Sequence, residues 1–237
     1  MEAVSVGFTA MQWNDAVRDV LVADDHPLVR TGLMAAAERA LQPRAVFEAE
    51  TFPGVLDAVE AHAELDLVLL DLSMPGAMGL SGLAMLRGLR PELPVLIVTG
   101  ASEPRTAEAA AALGASGYMQ KSASAGEIEA AMRSVAAGGA PGLPSPGEGR
   151  KFRDLAARIG ALSPQQFRVM TLIAEGLLNK QIAHELDLSV STVKGHVTEL
   201  LRKLGFARRT MLIAALRELG EDGFEGGSED YSAARRP

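Results

Sequence analysis

The order of apolar and polar positions between residues 19 and 138 predicts five repeats of a strand followed by a helix. Short continuous apolar runs favour buried strands, whereas apolar residues spaced three or four positions apart favour amphipathic helices. The predicted strands are Val20–Ala23, Ala45–Phe47, Leu67–Leu70, Val95–Val98 and Gly117–Met119. The predicted helices are His26–Leu41, Pro53–Ala63, Leu80–Leu89, Glu103–Leu113 and Ser124–Ala137. Strands that are apolar throughout and alternate with helices predict an α/β fold, a parallel sheet covered on both faces.

The pattern changes after Gly138. Residues 138–149 contain five glycines and three prolines, a composition that cannot pack a core and that favours a linker. A short helix over Lys151–Ile159 would continue this connection. From Ser163 onward the periodicity is helical, and it predicts a small all-α domain of four helices, which are Pro164–Glu175, Lys180–Leu186, Val190–Leu204 and Arg209–Leu219.

These patterns divide the chain into five parts. We expect an N-terminal extension (1–17), an α/β domain (18–138), a linker (139–159), a four-helix domain (160–220) and a disordered tail (221–237). The chain has 237 residues and no cysteine, which excludes disulfides and thiolate metal sites. Apolar runs of about 18 residues are absent, and the first 16 residues lack the features of a secretory signal. We therefore expect a cytoplasmic protein without a membrane contact.

Charge is distributed unevenly along the chain. Residues 1–149 carry 9 basic and 19 acidic side chains, whereas residues 150–220 carry 12 basic and 6 acidic ones. An acidic half joined to a basic half indicates different partners for the two halves. Charge alone leaves ordinary compositional scatter open as the alternative.

Polar side chains with complementary chemistry follow four of the predicted strands. They are Asp24 and Asp25 after the first strand, Asp71 after the third, Thr99 at the end of the fourth and Lys121 after the fifth. Ligands of open parallel sheets bind beyond the carboxyl ends of the strands, so these groups should converge. Three neighbouring carboxylates favour a hard divalent cation such as Mg²⁺.

A carboxylate in such a pocket can attack phosphorus and form an aspartyl phosphate. Lys121 would stabilise phosphoryl oxygens by its charge, and Thr99 would donate a hydroxyl. Taken singly, each residue also has an ordinary structural explanation as a helix cap, a turn residue, a strand residue or a solvated charge.

Four segments together resemble the receiver domain of bacterial two-component response regulators. They are Val22-Ala23-Asp24-Asp25-His26, Leu69-Leu70-Asp71-Leu72-Ser73-Met74-Pro75-Gly76, Val95-Leu96-Ile97-Val98-Thr99 and Gly117-Tyr118-Met119-Gln120-Lys121. The resemblance implies a flavodoxin-like sheet of order 2-1-3-4-5. It also implies that Asp71 accepts a phosphoryl group from a sensor histidine kinase. This chain has Ser122 and Gly100 where the family more often has proline and alanine.

The same resemblance implies the roles of the surrounding residues. Asp25, Asp71 and the backbone carbonyl of Ser73 would hold Mg²⁺, with Asp24 acting mostly through water. Thr99 and Tyr118 would be the switch pair, since Thr99 moves toward the phosphoryl group and the Tyr118 ring turns inward behind it.

The second and third helices of the C-terminal domain have the layout of a helix-turn-helix. The short turn Asp187-Leu188-Ser189 separates them, and the second helix of such a pair enters the major groove of DNA. Basic and hydroxyl side chains lie mostly away from its apolar side, as phosphate and base contacts require. The pattern alone equally fits a solvated amphipathic helix in a small bundle.

Residues 160–220 are similar to the LuxR-type DNA-binding domain, through segments that include Leu162-Ser163-Pro164, Asn179 to Val197 and Leu201 to Gly205. The resemblance implies that Lys194, Gly195 and Thr198 face base edges. It also implies that the fourth helix forms a dimer contact. The residues that it places at or near phosphates are Asn179, Lys180, Ser191, Thr192, His196 and Arg202. Gly195 is a departure, because it offers no side chain to a base.

We therefore predict a transcription regulator rather than an enzyme, with a sensor kinase and double-stranded DNA as partners. It should form a homodimer through the C-terminal helix, the receiver domain or both. One alternative is a regulator that binds DNA without phosphorylation and uses its receiver for dimerisation. Two others are an aspartyl-phosphate hydrolase, which would need a second acid where Ser73 stands, and an adaptor that does not bind DNA.

Overall fold

The structure is a computed structural model that describes residues 19–100, 104–144 and 150–221. The predicted extension at 1–17, the predicted helix start at Glu103 and the tail beyond residue 221 lie outside these ranges. The N-terminal domain contains β1 (Asp19–Ala23), α1 (Pro27–Leu41), β2 (Ala45–Ala49), α2 (Phe52–Ala61), β3 (Leu65–Leu70), α3 (Ser81–Leu89), β4 (Val95–Thr99), α4 (Pro104–Ala112), β5 (Gly117–Gln120) and α5 (Ala125–Ala136).

The five strands form one parallel sheet of order β2-β1-β3-β4-β5, which confirms the predicted fold class and strand order. In the centre, Leu21 is paired with Val68, and at the carboxyl end Ala23 is paired with Leu70. β1 and β4 are buried at every position, as expected for strands with helices on both sides. The register aligns the ends of β1 and β3, so the residues that follow these two strands are neighbours.

Two apolar layers enclose the sheet. On one side, residues such as Val22, Leu69 and Met132 pack with α1 and α5. On the other side, residues such as Leu70 and Leu83 pack with α2, α3 and α4, and this layer continues into the C-terminal helices. The two domains therefore share one apolar core in this structure.

The C-terminal part contains α6 (Arg150–Gly160), α7 (Pro164–Ala174), α8 (Asn179–Glu185), α9 (Val190–Leu204) and α10 (Arg209–Glu221). Ser163 caps α7 because its hydroxyl oxygen accepts the Gln166 N–H, and the Ser163 N–H donates to the side-chain oxygen of Gln166. α9 ends at Gly205, whose φ of 78° suits glycine. Within the described ranges, no helix combines the length and apolar character needed to cross a membrane.

The predicted linker is more structured than its composition indicates. The Tyr118 N–H of the edge strand β5 donates to the carbonyl oxygen of Pro141 at 2.9 Å, and Leu143 packs against the core. α6 matches the short helix predicted over Lys151–Ile159, is one residue longer at each end, and buries Ile159 completely. The expectation that residues 138–149 cannot pack was wrong for residues 141–143, because backbone hydrogen bonding to an open strand edge needs no apolar side chain. α10 also extends to Glu221, the first residue of the predicted tail.

The two domains contact each other through α2, α3 and α4 on one side and α6, α7 and α10 on the other. The rings of Phe52 and Phe167 lie 5.1 Å apart, centroid to centroid. Arg168 forms an ion pair with Asp57 at 2.6 Å. The face of the α/β domain that contains α2, α3 and α4 therefore holds the C-terminal domain.

Candidate functional site

The acidic pocket lies at the carboxyl end of the sheet. The Asp71 N–H donates to the carbonyl oxygen of Ala23 at 2.9 Å, which extends the pairing of β1 and β3 by one step. The Lys121 N–H donates to the carbonyl oxygen of Thr99 at 2.8 Å and does the same for β4 and β5. Parallel pairing therefore brings together the ends of β1, β3, β4 and β5, which are far apart in the sequence.

Lys121 joins two of the carboxylates. Its Nζ donates a hydrogen bond to Asp71 Oδ2 at 2.9 Å. The same Nζ lies 2.8 Å from Asp24 Oδ2 and forms an ion pair with this carboxylate. Asp24 and Asp71 are fully buried at their side chains, whereas Lys121 is partly exposed. One ammonium group thus faces two buried carboxylates, which leaves the pocket short of positive charge.

The pKa values of the site reflect this imbalance. Burial raises the pKa of the Asp71 carboxyl above its ordinary value; the hydrogen bond from Lys121 opposes this effect and the charge of Asp24 adds to it. Burial alone would lower the pKa of Lys121, but its contacts with Asp24 and Asp71 outweigh burial and raise it. An added cation would stabilise the ionised carboxylates.

The donor set fits a hard divalent cation. Asp24, Asp25, His26 and Asp71 each offer one ligand atom, and these atoms all lie within 4.8 Å of one another. Asp24 Oδ2 and Asp25 Oδ1 are buried; Lys121 Nζ lies 2.8 Å from the first, and His26 Nδ1 lies 2.7 Å from the second. Buried carboxylate oxygens gathered in this way suit Mg²⁺, which prefers carboxylate ligands.

His26 belongs to this cluster, but the sequence analysis did not predict it as a site residue. Its Nδ1 lies 2.7 Å from Asp25 Oδ1, and its N–H donates to Asp24 Oδ1 at 2.8 Å. Its position directly after the two aspartates was the available signal. The N–H of Ser73 donates to Asp71 Oδ1 at 3.2 Å, which places Ser73 at the mouth of the pocket, and the role of its carbonyl oxygen stays a prediction.

The two predicted switch residues lie deep in the receiver. Thr99 is fully buried, and Tyr118 is 7% exposed. Their strands β4 and β5 are neighbours in the sheet. Because the Tyr118 N–H holds Pro141, the backbone of this residue is also the attachment point of the interdomain segment.

In the C-terminal domain, α8 and α9 pack against each other as a helix-turn-helix. Asp187 has a φ of 52° in the turn, and Ser189 caps α9 by accepting the Thr192 N–H at 3.0 Å. Buried Ile182, Ala183 and Val193 join the two helices. This packing fixes the orientation of α9 relative to α8.

Most predicted DNA contacts are exposed. They are Lys180, Ser191, Thr192, Lys194, Gly195, Thr198 and Arg202, whereas Asn179 and His196 are partly exposed. Arg202 forms two hydrogen bonds with Glu199, at 2.9 and 2.5 Å, and Asn179 accepts one from Arg209 at 3.2 Å. Arg202 would have to leave Glu199 to bind a phosphate. Exposed positions 191, 195, 198 and 202 are three or four residues apart, so they lie on one side of α9.

A parallel α/β domain with this pocket, joined to a helix-turn-helix domain, defines the response regulators that carry a DNA-binding output domain. Residues 20–133 match the response regulator receiver domain, and residues 160–216 match the bacterial regulatory proteins of the luxR family. The chain belongs to these LuxR-type response regulators, which are transcriptional regulators, and this confirms the family expected from the sequence.

Its relatives align over nearly their whole length. A glycerol metabolism activator of Pseudomonas putida is 32% identical over 210 residues, which are 84% of this chain and 95% of the relative. The nitrate/nitrite response regulator NarL of Escherichia coli K12 is 32% identical over 204 residues, 83% of this chain and 93% of the relative. A solved structure of two RcsB dimers bound to two parallel DNAs is 25% identical, covers 84% of this chain and 98% of that chain, and has a TM-score of 0.49.

Proposed function

We propose that Asp71 accepts a phosphoryl group from a sensor histidine kinase and that this modification controls DNA binding by the C-terminal domain. The observation that carries the proposal is the buried Asp71 carboxylate, held by Lys121 at 2.9 Å beside Asp24 and Asp25. A lone surface aspartate would not combine burial, a raised pKa and a neighbouring ammonium group.

In the transfer step, an Asp71 oxygen forms a bond to phosphorus while the bond between phosphorus and the imidazole nitrogen of the kinase breaks. The electron pair of the broken bond stays on that nitrogen, and the imidazole leaves as a neutral ring with its proton on the other nitrogen. Lys121 then exchanges its hydrogen bond to the carboxylate for one to a phosphoryl oxygen and offsets the charge that arrives. Asp24, Asp25 and Asp71 would hold Mg²⁺, which neutralises the phosphoryl oxygens when bound.

A path of contacts leads from Asp71 to the C-terminal domain. The carbonyl oxygen of Pro75, four residues after Asp71, accepts the Phe52 N–H at 2.8 Å. The Phe52 ring in turn contacts the Phe167 ring of α7. A shift of the segment after Asp71 on phosphorylation would therefore act on a residue that also holds the C-terminal domain, and we infer that it loosens this contact.

On DNA, α9 would lie in the major groove with Lys194, Gly195 and Thr198 toward base edges. The exposed hydroxyl and basic groups of α8 and α9 would contact phosphates. Two copies joined through α10 would bind two half-sites. The partners that this function requires are a sensor histidine kinase, duplex DNA and a second copy of the chain.

The test is labelling of the full chain with acetyl phosphate and Mg²⁺, followed by DNA binding. We expect one phosphoryl group on wild-type protein, none on Asp71→Asn, and normal labelling of Glu60→Gln, which changes an exposed carboxylate on α2. A duplex selected in vitro with the wild-type chain should bind more tightly after labelling. Absence of labelling would refute the phosphorylation site, and labelling without a change in DNA affinity would favour the phosphorylation-independent regulator.

A further inference from the structure

Arg30 in the first turns of α1 is a buried cation directly behind the acidic pocket. Its side chain is 8% exposed. Nη1 donates to the backbone carbonyl oxygen of Asp24 at 2.9 Å. The remaining contacts are to the far end of β2, where Nε donates to Glu48 at 2.8 Å and Nη2 to Glu50 at 2.6 Å. One guanidinium group thus connects α1, the β1–α1 turn and the end of β2.

The contact with Asp24 acts on the peptide bond that joins Asp24 to Asp25. A peptide unit is planar, so a hydrogen bond that holds its oxygen also fixes the direction in which the next residue leaves. Asp25 projects from this unit, and its buried Oδ1 lies 2.7 Å from Nδ1 of His26, the next residue of the same turn. Arg30 therefore limits how far the Asp25 carboxylate can move relative to Asp24 and Asp71.

The surroundings of Arg30 favour this role over simple charge pairing. Glu48 and Glu50 are 56% and 68% exposed, and ion pairs with such exposed carboxylates contribute little stability. Burying a guanidinium group costs free energy unless its donors are satisfied. Of the three hydrogen bonds, the one to the Asp24 carbonyl oxygen is buried. Only a planar guanidinium group, with its fork of N–H donors, reaches all three acceptors.

We propose that Arg30 is a positioning residue for the divalent-cation site and that it acts by holding the Asp24–Asp25 peptide. Its hydrogen bonds go to the Asp24 backbone, Glu48 and Glu50, and not to a carboxylate of the acidic pocket. The inference deepens the proposed function, on which it rests for the identity of the cation. Removing Arg30 leaves every ligand residue in the chain but lets the Asp25 carboxylate rotate, so the affinity for the cation falls. At a saturating cation concentration, Asp71 is still labelled.

The experiment measures Mg²⁺ binding to the full chain by isothermal titration calorimetry. Arg30→Met should weaken Mg²⁺ binding about 10-fold or more, the usual effect of removing a group that orients a ligand. The matched control is Arg39→Met on the same helix, which removes a half-exposed arginine paired with Glu129. We expect this control to change Mg²⁺ affinity less than about 2-fold. Labelling by acetyl phosphate should recover in Arg30→Met at saturating Mg²⁺.

Circular dichroism in EDTA establishes that each variant is folded. If Arg30→Met does not fold, Arg30→Lys decides, and we expect it to bind Mg²⁺ more weakly than wild type because an ammonium group cannot hold all three acceptors. An unchanged Mg²⁺ affinity in a folded Arg30 variant, or a wild-type chain that binds no Mg²⁺, would overturn the inference. Mg²⁺ binding that depends on Arg30 in a chain that is not labelled at Asp71 would refute the proposed function alone.

Discussion

Gly88 near the end of α3 and Gly160 at the end of α6 touch backbone to backbone. A β-carbon on Gly88 would lie 1.9 Å from the carbonyl oxygen of Gly160, and one on Gly160 would lie 2.9 Å from the carbonyl oxygen of Ala84. Such distances exclude any side chain at Gly88 while the two helices stay packed. The contact between receiver and C-terminal domain therefore depends on the absence of two side chains.

We predict that Gly88→Ala separates α6 from α3. The added methyl group cannot be accommodated, because its neighbour is backbone rather than a movable side chain. Trypsin should then cut within α6 at least several-fold faster, and the radius of gyration from small-angle X-ray scattering should rise. Gly32→Ala is the control, since a β-carbon there has no atom within 4 Å; equal trypsin rates in both variants would contradict this account.

A second prediction concerns pH and Asp71 in EDTA. The pKa of Asp71 is higher in the folded chain than in the unfolded chain. Asp71 therefore contributes fully to the free energy of unfolding below its unfolded pKa, and this contribution is lost as pH rises through its folded pKa. At pH 7 the ionised carboxylate is therefore unfavourable, and Asp71→Asn should increase the free energy of unfolding in urea. The difference should vanish below about pH 4, the ordinary aspartate range.

Mg²⁺ should oppose this difference in stability. At a concentration of 100 times its dissociation constant, bound Mg²⁺ stabilises the folded chain by about 2.7 kcal/mol. Asp71→Asn loses one carboxylate ligand and should gain less. The urea midpoint of wild type should thus rise more than that of the variant when EDTA is replaced by Mg²⁺. A variant already less stable than wild type in EDTA at pH 7 would contradict the sign derived for Asp71.

The third prediction concerns the segment that covers β5. Gly142 has a φ of 70°, and a β-carbon there would lie 1.9 Å from the carbonyl oxygen of Tyr118. Gly142→Ala should release Pro141 from the Tyr118 N–H, so the Tyr118 amide should exchange with deuterium about 10-fold faster or more. Gly138→Ala is matched for backbone strain, because Gly138 has a φ of 80° but open space around it. Equal exchange in both variants would contradict the pairing.

The fourth prediction concerns Gly195 on α9. A β-carbon there would meet no atom within 4 Å, so packing inside the domain does not require glycine. Gly195→Ala should therefore raise the free energy of unfolding by about 0.5–1 kcal/mol, as alanine does in helix interiors. If α9 approaches DNA closely at this point, the duplex selected with wild type should bind about 10-fold more weakly.

Gly32→Ala, also inside a helix with open space, should give a similar gain in stability without a loss of DNA affinity. A Gly195→Ala variant that is stabilised but binds the selected duplex as wild type does would remove Gly195 from the DNA contact.

The aspartates of the pocket could be predicted from the sequence, whereas the supporting role of Arg30 could not. Asp24, Asp25 and Asp71 follow apolar runs, and parallel strands place such positions at one edge. Arg30 lies on α1 between Val29 and Thr31, and periodicity gives no sign that its long side chain turns inward to the Asp24 carbonyl. Its partner Glu48 lies in β2 and Glu50 directly follows that strand, so only the pairing of β1 with β2 brings them within reach.

Sequence alone determined the α/β and helical parts, their order along the chain and the chemistry gathered at the strand ends, because local periodicity and strand direction decide these features. The tertiary structure decided the packing of α6 on α3 and the pairing of Pro141 with Tyr118. Both depend on backbone atoms meeting where glycine leaves room, and backbone groups are the same in every residue. A Gly- and Pro-rich composition predicts a flexible chain. An open strand edge and a narrow groove between helices determine where such segments pack.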